Sequence, residues 1–136
     1  MLGMNAFECC NSLTNIELPE SLTSIMSYCF FKCTGLINIM SPEKVVSIGY
    51  SAFNYCSELM SVVLPDNIGS IGQSLFSNCP KLACFTVPNN ISLVNYNMFS
   101  NRTITSFLTS NNNLLYSSVS GMIYDKRGQY LYMYPY

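Results

Sequence analysis

Cysteine is the residue type in this sequence with the most obvious capacity for chemistry. There are seven cysteines and no histidine. Thiolates bind zinc and act as nucleophiles, but a nucleophilic thiol needs a base or a cationic neighbour. Histidine is the commonest general base and the commonest metal ligand, so its absence counts against both kinds of site. Four of the cysteines recur with a single constant spacing along the chain: Cys10, Cys33, Cys56 and Cys79.

Regular spacing places these four thiols in a row rather than around a point. Parallel rows of side chains do not converge on a tetrahedral centre, and parallel Cβ directions disfavour disulfides even at a separation of about 5 Å. We therefore expect buried free thiols, which behave as small hydrophobic groups, and we predict no metal site, no cofactor and no catalytic residue. The chain is not expected to be an enzyme. Outside the row, Cys29 is expected in the core, and Cys84 is expected to point outward as the most reactive thiol.

Composition excludes several other classes of protein. Charged residues make up 10% of the 136 residues, with six Lys and Arg and a formal net charge of −1, so there is no basic face for nucleic acid. The hydrophobic fraction of 49% argues against disorder. Polar residues interrupt every apolar stretch before it reaches the roughly 18 residues of a transmembrane helix, so we expect no membrane insertion.

The elements that position the cysteines follow the same spacing. Several other columns repeat with the period of the cysteines: Phe7, Phe30, Phe53, Phe76 and Phe99; Pro19, Pro42, Pro65 and Pro88; Leu13, Leu36, Leu59 and Leu82; Ile25, Ile48, Ile71 and Val94. A 23-residue unit cannot bury its own apolar face, so such units stack as the coils of a solenoid. We predict one domain over 1–136, with a partial coil at 1–12, complete coils at 13–35, 36–58, 59–81 and 82–103, and a last partial coil and cap at 104–136.

Each unit is expected to contain a strand that ends at the proline. In the run Leu-x-x-Ile-x-Leu-Pro, the period of two places Ile16 and Leu18 on one side of the strand and Glu17 on the other. Proline has no N–H for the ladder and ends the strand. The phenylalanines are expected to stack in one file through the thickest part of the core.

The rest of the unit is expected to form a second extended piece and a turn. Ile25 belongs to the extended piece, and Gly49 and Gly72, which follow the equivalent pieces, suit a turn with positive φ. The segment 52–56 is too short for a stable helix and is predicted to make one helical turn.

The unit resembles the BspA-like leucine-rich repeats, also called the Treponema pallidum class. The resemblance rests on the Leu-x-x-Ile-x-Leu-Pro run and on the signature formed by Ala52, Phe53 and Cys56, and it extends to a C-terminal segment, 119–131, that is similar to the hairpin closing arrays in this family. It implies a leucine-rich-repeat solenoid with one short parallel β-strand, a second extended piece and a short helical turn per coil, closed by a β-hairpin cap.

The same resemblance implies a cell-surface or secreted adhesin or antigen, or a fragment of one, that binds host, matrix or other cells' surface proteins. Residues 1–8 do not form a signal peptide, which leaves an intracellular scaffold as the alternative. Glycosylation acceptors at Asn90 and Asn101 matter only if the chain is secreted. The first coil begins without a cap, so we expect either self-association through that end or fraying of residues 1–12.

The predicted partner-binding surface consists of the outward strand positions on the concave face of the solenoid. These are Asn15, Glu17, Asn38, Met40, Ser61, Val63, Cys84, Thr86, Ser106 and Leu108. Exposed apolar residues among them either are ordinary for a protein surface or mark a strip that a partner covers. In the tail, alternation places Tyr130, Tyr132 and Tyr134 on one face, which either covers the last coil or forms an adhesive aromatic patch.

Overall fold

Short strands recur once or twice in every coil. The computed structural model describes residues 1–91, 96–99, 104–133 and 135; Val94, Asn101 and Tyr134 lie outside this part, and the side chain of Tyr132 is also not described. The strands are β1 (Ser24–Ile25), β2 (Asn38–Met40), β3 (Ser47–Ile48), β4 (Ser61–Val63), β5 (Ser70–Ile71), β6 (Cys84–Val87), β7 (Ser106–Thr109), β8 (Tyr116–Val119), β9 (Met122–Asp125) and β10 (Leu131–Met133). A 3-10 helix spans Tyr96–Met98.

Parallel pairing with equivalent residues of the next coil organises these strands. The second extended pieces form one sheet in the order β1-β3-β5, and the first strands of the coils pair as β2 with β4 and as β6 with β7. In β2 and β4, Ile39 lies opposite Val62, its equivalent one full repeat later. Cys84 lies opposite Ser106, so this coil is one position shorter than the others. The solenoid and its parallel strands are therefore confirmed.

The predicted strand of the first complete coil is only partly realised. Ile16 and Leu18 are half-buried and Glu17 is exposed, as the alternation predicts, but 13–18 is not a strand. The segment is joined to the next coil where the Ile37 N–H donates to the Thr14 carbonyl at 3.0 Å.

The phenylalanine file is present and runs through the core. Neighbouring rings from Phe7 to Phe99 stack with centroids 5.1, 5.3, 5.8 and 5.7 Å apart. Phe30, Phe53 and Phe76 are fully buried, while Phe7 is half-buried. Because ring stacking is favourable and each ring removes a large apolar area from water, this file stabilises the stack.

The predicted helical turn at 52–56 is wrong. Ser51 and Tyr55 have φ of 51° and 63°, in the left-handed region, and equivalent residues of the neighbouring coils do the same. Two left-handed residues four apart prevent a continuous helix. Backbone N–H groups of this segment point toward the next coil. The Phe53 N–H donates to the Leu75 carbonyl, and the Tyr55 N–H donates to the Ser77 carbonyl. The turn therefore adds a line of hydrogen bonds between coils.

The predicted role of Gly49 and Gly72 is also wrong, although glycine is required at both. Neither has positive φ; the glycines that do are Gly121 and Gly128. A Cβ on Gly72 would lie 2.4 Å from the Tyr50 backbone nitrogen, and one on Gly49 would lie 2.3 Å from that of Ser27. Close approach of neighbouring coils, rather than an unusual backbone angle, excludes a side chain here.

An antiparallel sheet closes the C-terminal end. Its order is β10-β9-β8, so the predicted hairpin of β9 and β10 is confirmed and has a third strand. Tyr116 and Ile123 are the side chains that cover the core, with exposed fractions of 4% and 0%. Tyr130 is 68% exposed, so it does not cover the last coil, as one interpretation of the tyrosine tail required.

Candidate functional site

The outer strand face is the surface formed by the ten outward strand positions. Its central part comes from β2 and β4, where Asn38 lies opposite Ser61 and Met40 lies opposite Val63. All four are exposed, and the apolar pair is 70% exposed at Met40 and 49% at Val63. Parallel pairing in register therefore places two aliphatic side chains side by side on the surface.

The same surface continues at both ends of the array. Cys84 lies opposite Ser106 and Thr86 opposite Leu108, which is 47% exposed. Ser106 is the only half-buried member of the ten, because Gly121 of the cap packs directly against it. In the first coil, Asn15 and Glu17 are exposed. Eight of the ten predicted residues thus lie on strands β2, β4, β6 and β7, whereas Asn15 and Glu17 lie in a segment that is not a strand, and nine of the ten are exposed.

A groove of about 660 Å³ opens where these strands end at their prolines. It is lined by Ile16, Glu17, Leu18, Pro19, Glu20, Met40, Ser41, Pro42, Glu43, Val63, Leu64 and Pro65. The groove contains Glu17, Met40 and Val63 of the outer strand face, and adds two further carboxylates, Glu20 and Glu43. The groove was not predicted from the sequence, although Glu20 and Glu43 are one repeat apart and, with Asp66 in the next unit, form an acidic column.

Ser41 is the unusual residue in the wall of the groove. The equivalent positions in the other coils hold aliphatic residues, Leu18, Leu64 and Val87. Ser41 is 5% exposed, and its hydroxyl oxygen is buried without a hydrogen-bond partner. A buried hydroxyl without a partner costs about 1–3 kcal/mol, so this position is not optimised for stability.

The thiol row is positioned by hydrogen bonds between coils. The thiols of Cys33, Cys56 and Cys79 each donate to the carbonyl of a phenylalanine 26 residues earlier, at 2.9, 3.2 and 3.1 Å. Burial raises the pKa of Cys33 to about 11 and that of Cys79 to about 12, and it raises the pKa of Cys56 further. These thiols are therefore protonated, not nucleophilic, at neutral pH.

The remaining thiols follow the sequence prediction, except that Cys10 was expected to be buried with the other members of the row. Cys29 is fully buried, and desolvation raises its pKa to about 11. Cys84 and Cys9 are exposed, and Cys10 is half-buried. No disulfide joins any of the seven cysteines, all of which the structure describes. Within the described ranges, no three His, Cys, Asp or Glu side chains come together as a metal site would require.

An aromatic cluster lies beside the turn segments and was not anticipated. Tyr28 contacts Phe31 and Tyr50 with centroids 5.5 and 5.4 Å apart, and Phe31 contacts Tyr55 at 5.8 Å. The Lys32 ammonium lies 5.3 Å from the Phe31 ring centroid. The spacing between Tyr28 and Tyr50 is one short of the repeat, which hid this cluster from a search for columns. The ring contacts described above join members of the cluster to one another, which indicates that the cluster packs neighbouring turns together.

Comparison with known families identifies the repeat. The family model described as "BspA type Leucine rich repeat region" matches residues 1–119 in six copies. A search of curated proteins found no match. No helix in the part of the chain that the structure describes is long and apolar enough to cross a membrane.

Solved structures share the fold. A leucine-rich-repeat protein of Treponema pallidum is 30% identical with a TM-score of 0.72, and covers 76% of this chain and 49% of its own. A leucine-rich cell surface protein of Faecalibacterium prausnitzii is 29% identical with a TM-score of 0.82, covering 98% of this chain and 35% of its own. The pneumococcal vaccine antigen PcpA, at 23% identity and a TM-score of 0.70, shares the fold over 84% of this chain and 29% of its own. This chain thus spans at most about half the length of these proteins.

Proposed function

The chain belongs to the family of BspA-type leucine-rich repeat proteins, and from this we propose that it is a non-catalytic module that binds proteins through its outer strand face, as a cell-surface adhesin or antigen or a part of one. Leucine-rich repeats are in general interaction modules that bind proteins. Among the relatives, one is described as a cell surface protein and another as a vaccine antigen. Those descriptions support a surface role, with host, matrix or other cells' proteins as partners.

The observation that carries the proposal is the exposed aliphatic pair Met40 and Val63. Solenoids use their strand faces as extended binding surfaces, and their stability does not depend on what the outward residues are. Exposing two neighbouring aliphatic side chains is unfavourable in water, and a partner that covers them gains about 25 cal/mol for each Å² of apolar area buried. Aligned polar residues on either side, such as Asn38 and Ser61, provide hydrogen-bonding groups at the rim.

The test is the double variant Met40→Glu with Val63→Glu. Immobilised protein is incubated with a detergent extract of host-cell surfaces, and the bound proteins are compared between variants. The matched control is Val46→Glu with Leu114→Glu. The exposed fraction of Val46, 51%, is close to the 49% of Val63, but Val46 lies off the outer strand face. The strand-face variant should lose the proteins that wild type and control both retain, with no fall in melting temperature. Retention of the same proteins by all three would contradict the proposal.

A second candidate, an intracellular scaffold with the same binding face, is favoured by one observation. No disulfide links the seven cysteines, all of which are among the described residues, and chains without disulfides are more typical of a reducing compartment. Glycosylation distinguishes the two. Asn90 is exposed, so a glycan attached to it in the native organism supports the surface role, whereas unmodified Asn90 together with reduced thiols supports the scaffold.

A further inference from the structure

We propose that the groove at the proline ends of the strands, walled by Ser41 and rimmed by Glu17, Glu20 and Glu43, binds an extended peptide segment that carries lysine or arginine beside an aliphatic residue. The inference rests on the proposed function, because the groove continues the outer strand face at Met40 and Val63. It goes further by naming the chemistry that the partner must present.

Charge is the first argument. Three of the chain's seven acidic residues line this groove, and no Lys or Arg among the described residues does. Among the described residues, the ion pair that forms joins Lys81 to Glu58, away from the groove, at 2.6 Å. None of the three groove carboxylates is therefore in an ion pair with a described Lys or Arg. Low-dielectric walls concentrate their field in the groove, which favours a cationic ligand.

The spacing of the carboxylates selects the kind of cation. They line one groove but do not form a cluster that could hold a metal ion, within the part of the chain that is described. They are supplied by two successive coils, which lie about 4.8 Å apart along the stack. Charges distributed in this way match ammonium or guanidinium groups on an extended chain better than a single point charge.

Ser41 supplies the depth of the groove. Its equivalents Leu18, Leu64 and Val87 are aliphatic, so at this coil the column loses most of a leucine side chain. Leu18 and Leu64 stand on either side of Ser41 and also line the groove, which places the missing volume between them. The Ser41 hydroxyl in this wall is buried and has no hydrogen-bond partner in the structure.

Apolar lining completes the match. Met40 and Val63 remain exposed at the mouth of the groove, and Pro42 and Pro65 are buried beneath it. Lysine and arginine side chains pack their methylene stems against apolar surface while the charged end stays in water. A segment that alternates basic and aliphatic residues satisfies the carboxylates and covers the exposed aliphatic pair together.

The test measures binding of a defined peptide by fluorescence anisotropy. The probe is a fluorescein-labelled Lys-Leu-Lys-Leu-Lys-Leu-Lys amide, and the comparison peptides replace every lysine by glutamine or every leucine by serine. Wild type should bind the probe more tightly than either comparison peptide, and more weakly as salt rises. Equal binding of the probe and the glutamine peptide overturns the proposal.

Two variants locate the site, each with a matched control. Glu17→Gln with Glu43→Gln should weaken binding at least about tenfold, whereas Glu8→Gln with Glu58→Gln, which changes the net charge equally, should change it less than about twofold. Ser41→Leu restores the repeat pattern, so it should keep or raise the melting temperature and still weaken binding at least about tenfold by filling the groove. If both charge variants weaken binding equally, or Ser41→Leu binds as wild type does, the groove is not the site.

A third variant separates this inference from the proposed function. Thr86→Glu with Leu108→Glu alters the outer strand face away from the groove. It should lose partners from the surface extract and keep the peptide. If Ser41→Leu has no effect on the peptide while this variant loses its extract partners, the groove proposal fails and the protein-binding function stands. If this variant keeps its extract partners while Ser41→Leu loses the peptide, protein binding through the outer strand face fails and the groove proposal stands.

Discussion

Replacing Phe53 by alanine is the most direct perturbation of the core. The ring is fully buried and stacks on Phe30 at 5.3 Å and on Phe76 at 5.8 Å. Truncating a buried phenylalanine costs about 3–5 kcal/mol, from lost transfer free energy and the cavity that remains. We expect the upper half of that range, because the variant also loses stacking contacts with two neighbouring rings.

The same file supplies an internal comparison. Phe7 is half-buried and stacks on one neighbour, Phe30, at 5.1 Å. Burying a phenylalanine fully is worth about 1.5–3 kcal/mol, and half-burial with one stacking partner about half as much, so Phe7→Ala should cost about 0.8–1.5 kcal/mol. The difference between the two variants tests the position of each ring in the file rather than the residue type.

Urea unfolding followed by circular dichroism measures both costs. With a denaturant slope of about 2 kcal/mol per molar urea, Phe53→Ala should lower the midpoint by about 2 M and Phe7→Ala by less than about 1 M. Leu114→Ala, at an exposed site, is the control and should leave the midpoint unchanged. A loss below about 1 kcal/mol for Phe53→Ala, or equal losses at Phe53 and Phe7, would refute the stacked file.

Three further predictions concern the thiols and the contacts between coils. Native protein treated with iodoacetamide at neutral pH should be alkylated at Cys84 and Cys9, with the buried thiols reacting only after unfolding; mass spectrometry of peptides reads this out, and labelling of Cys56 in native protein would contradict it. Burial raises the pKa of these thiols above the ordinary 9.0, so above pH 9 the unfolded chain releases protons that the folded chain keeps. The free energy of unfolding is therefore full below pH 9 and falls as the pH rises through about 11, with a loss of up to about 1.4 kcal/mol for each thiol by pH 10. Thermal melts across this pH range should show a smaller loss for Cys79→Ala than for wild type. Gly72→Ala should destabilise by about 1–3 kcal/mol, because the new Cβ meets the backbone of Tyr50, while Gly3→Ala, with nothing within 4 Å, should be neutral in the same urea assay.

The core could be predicted from the sequence because periodicity alone determines it. Side chains that recur with the period of the repeat must lie on one another once coils stack, whatever path the chain takes within a coil. Phe53 and Cys56 are therefore placed correctly without knowledge of the turn between them. The predicted helical turn was wrong because Ser51 and Tyr55 are left-handed, and periodicity does not specify such backbone angles. A repeat fixes which residues are equivalent, but the backbone angles at each position depend on where its N–H groups find acceptors.

Features of the candidate site divide along the same line. The outward strand positions follow from alternation, and nine of the ten are exposed. The groove combines a departure from the repeat, Ser41 in an aliphatic column, with Glu20 and Glu43, which are one repeat apart and could have been found as an acidic column. Ser41 and Glu17 carry no periodic signal, and their proximity to that column becomes visible only when the coils are stacked. Side-chain pairs at the repeat interval, such as Glu58 with Lys81, could have been found from the sequence by searching for complementary residues one repeat apart.

Because equivalent residues of successive coils pair with each other, the number of coils in the array can vary. In β1, β3 and β5, Ser24, Ser47 and Ser70 occupy the same register, so each coil presents to the next the surface that it received from the one before. Loss or duplication of one whole repeat therefore joins two surfaces that already match, while a change of any other size shifts every later side chain out of its column. Genes for such arrays can lengthen or shorten one coil at a time, and each such event adds or removes one row of residues from the outer strand face.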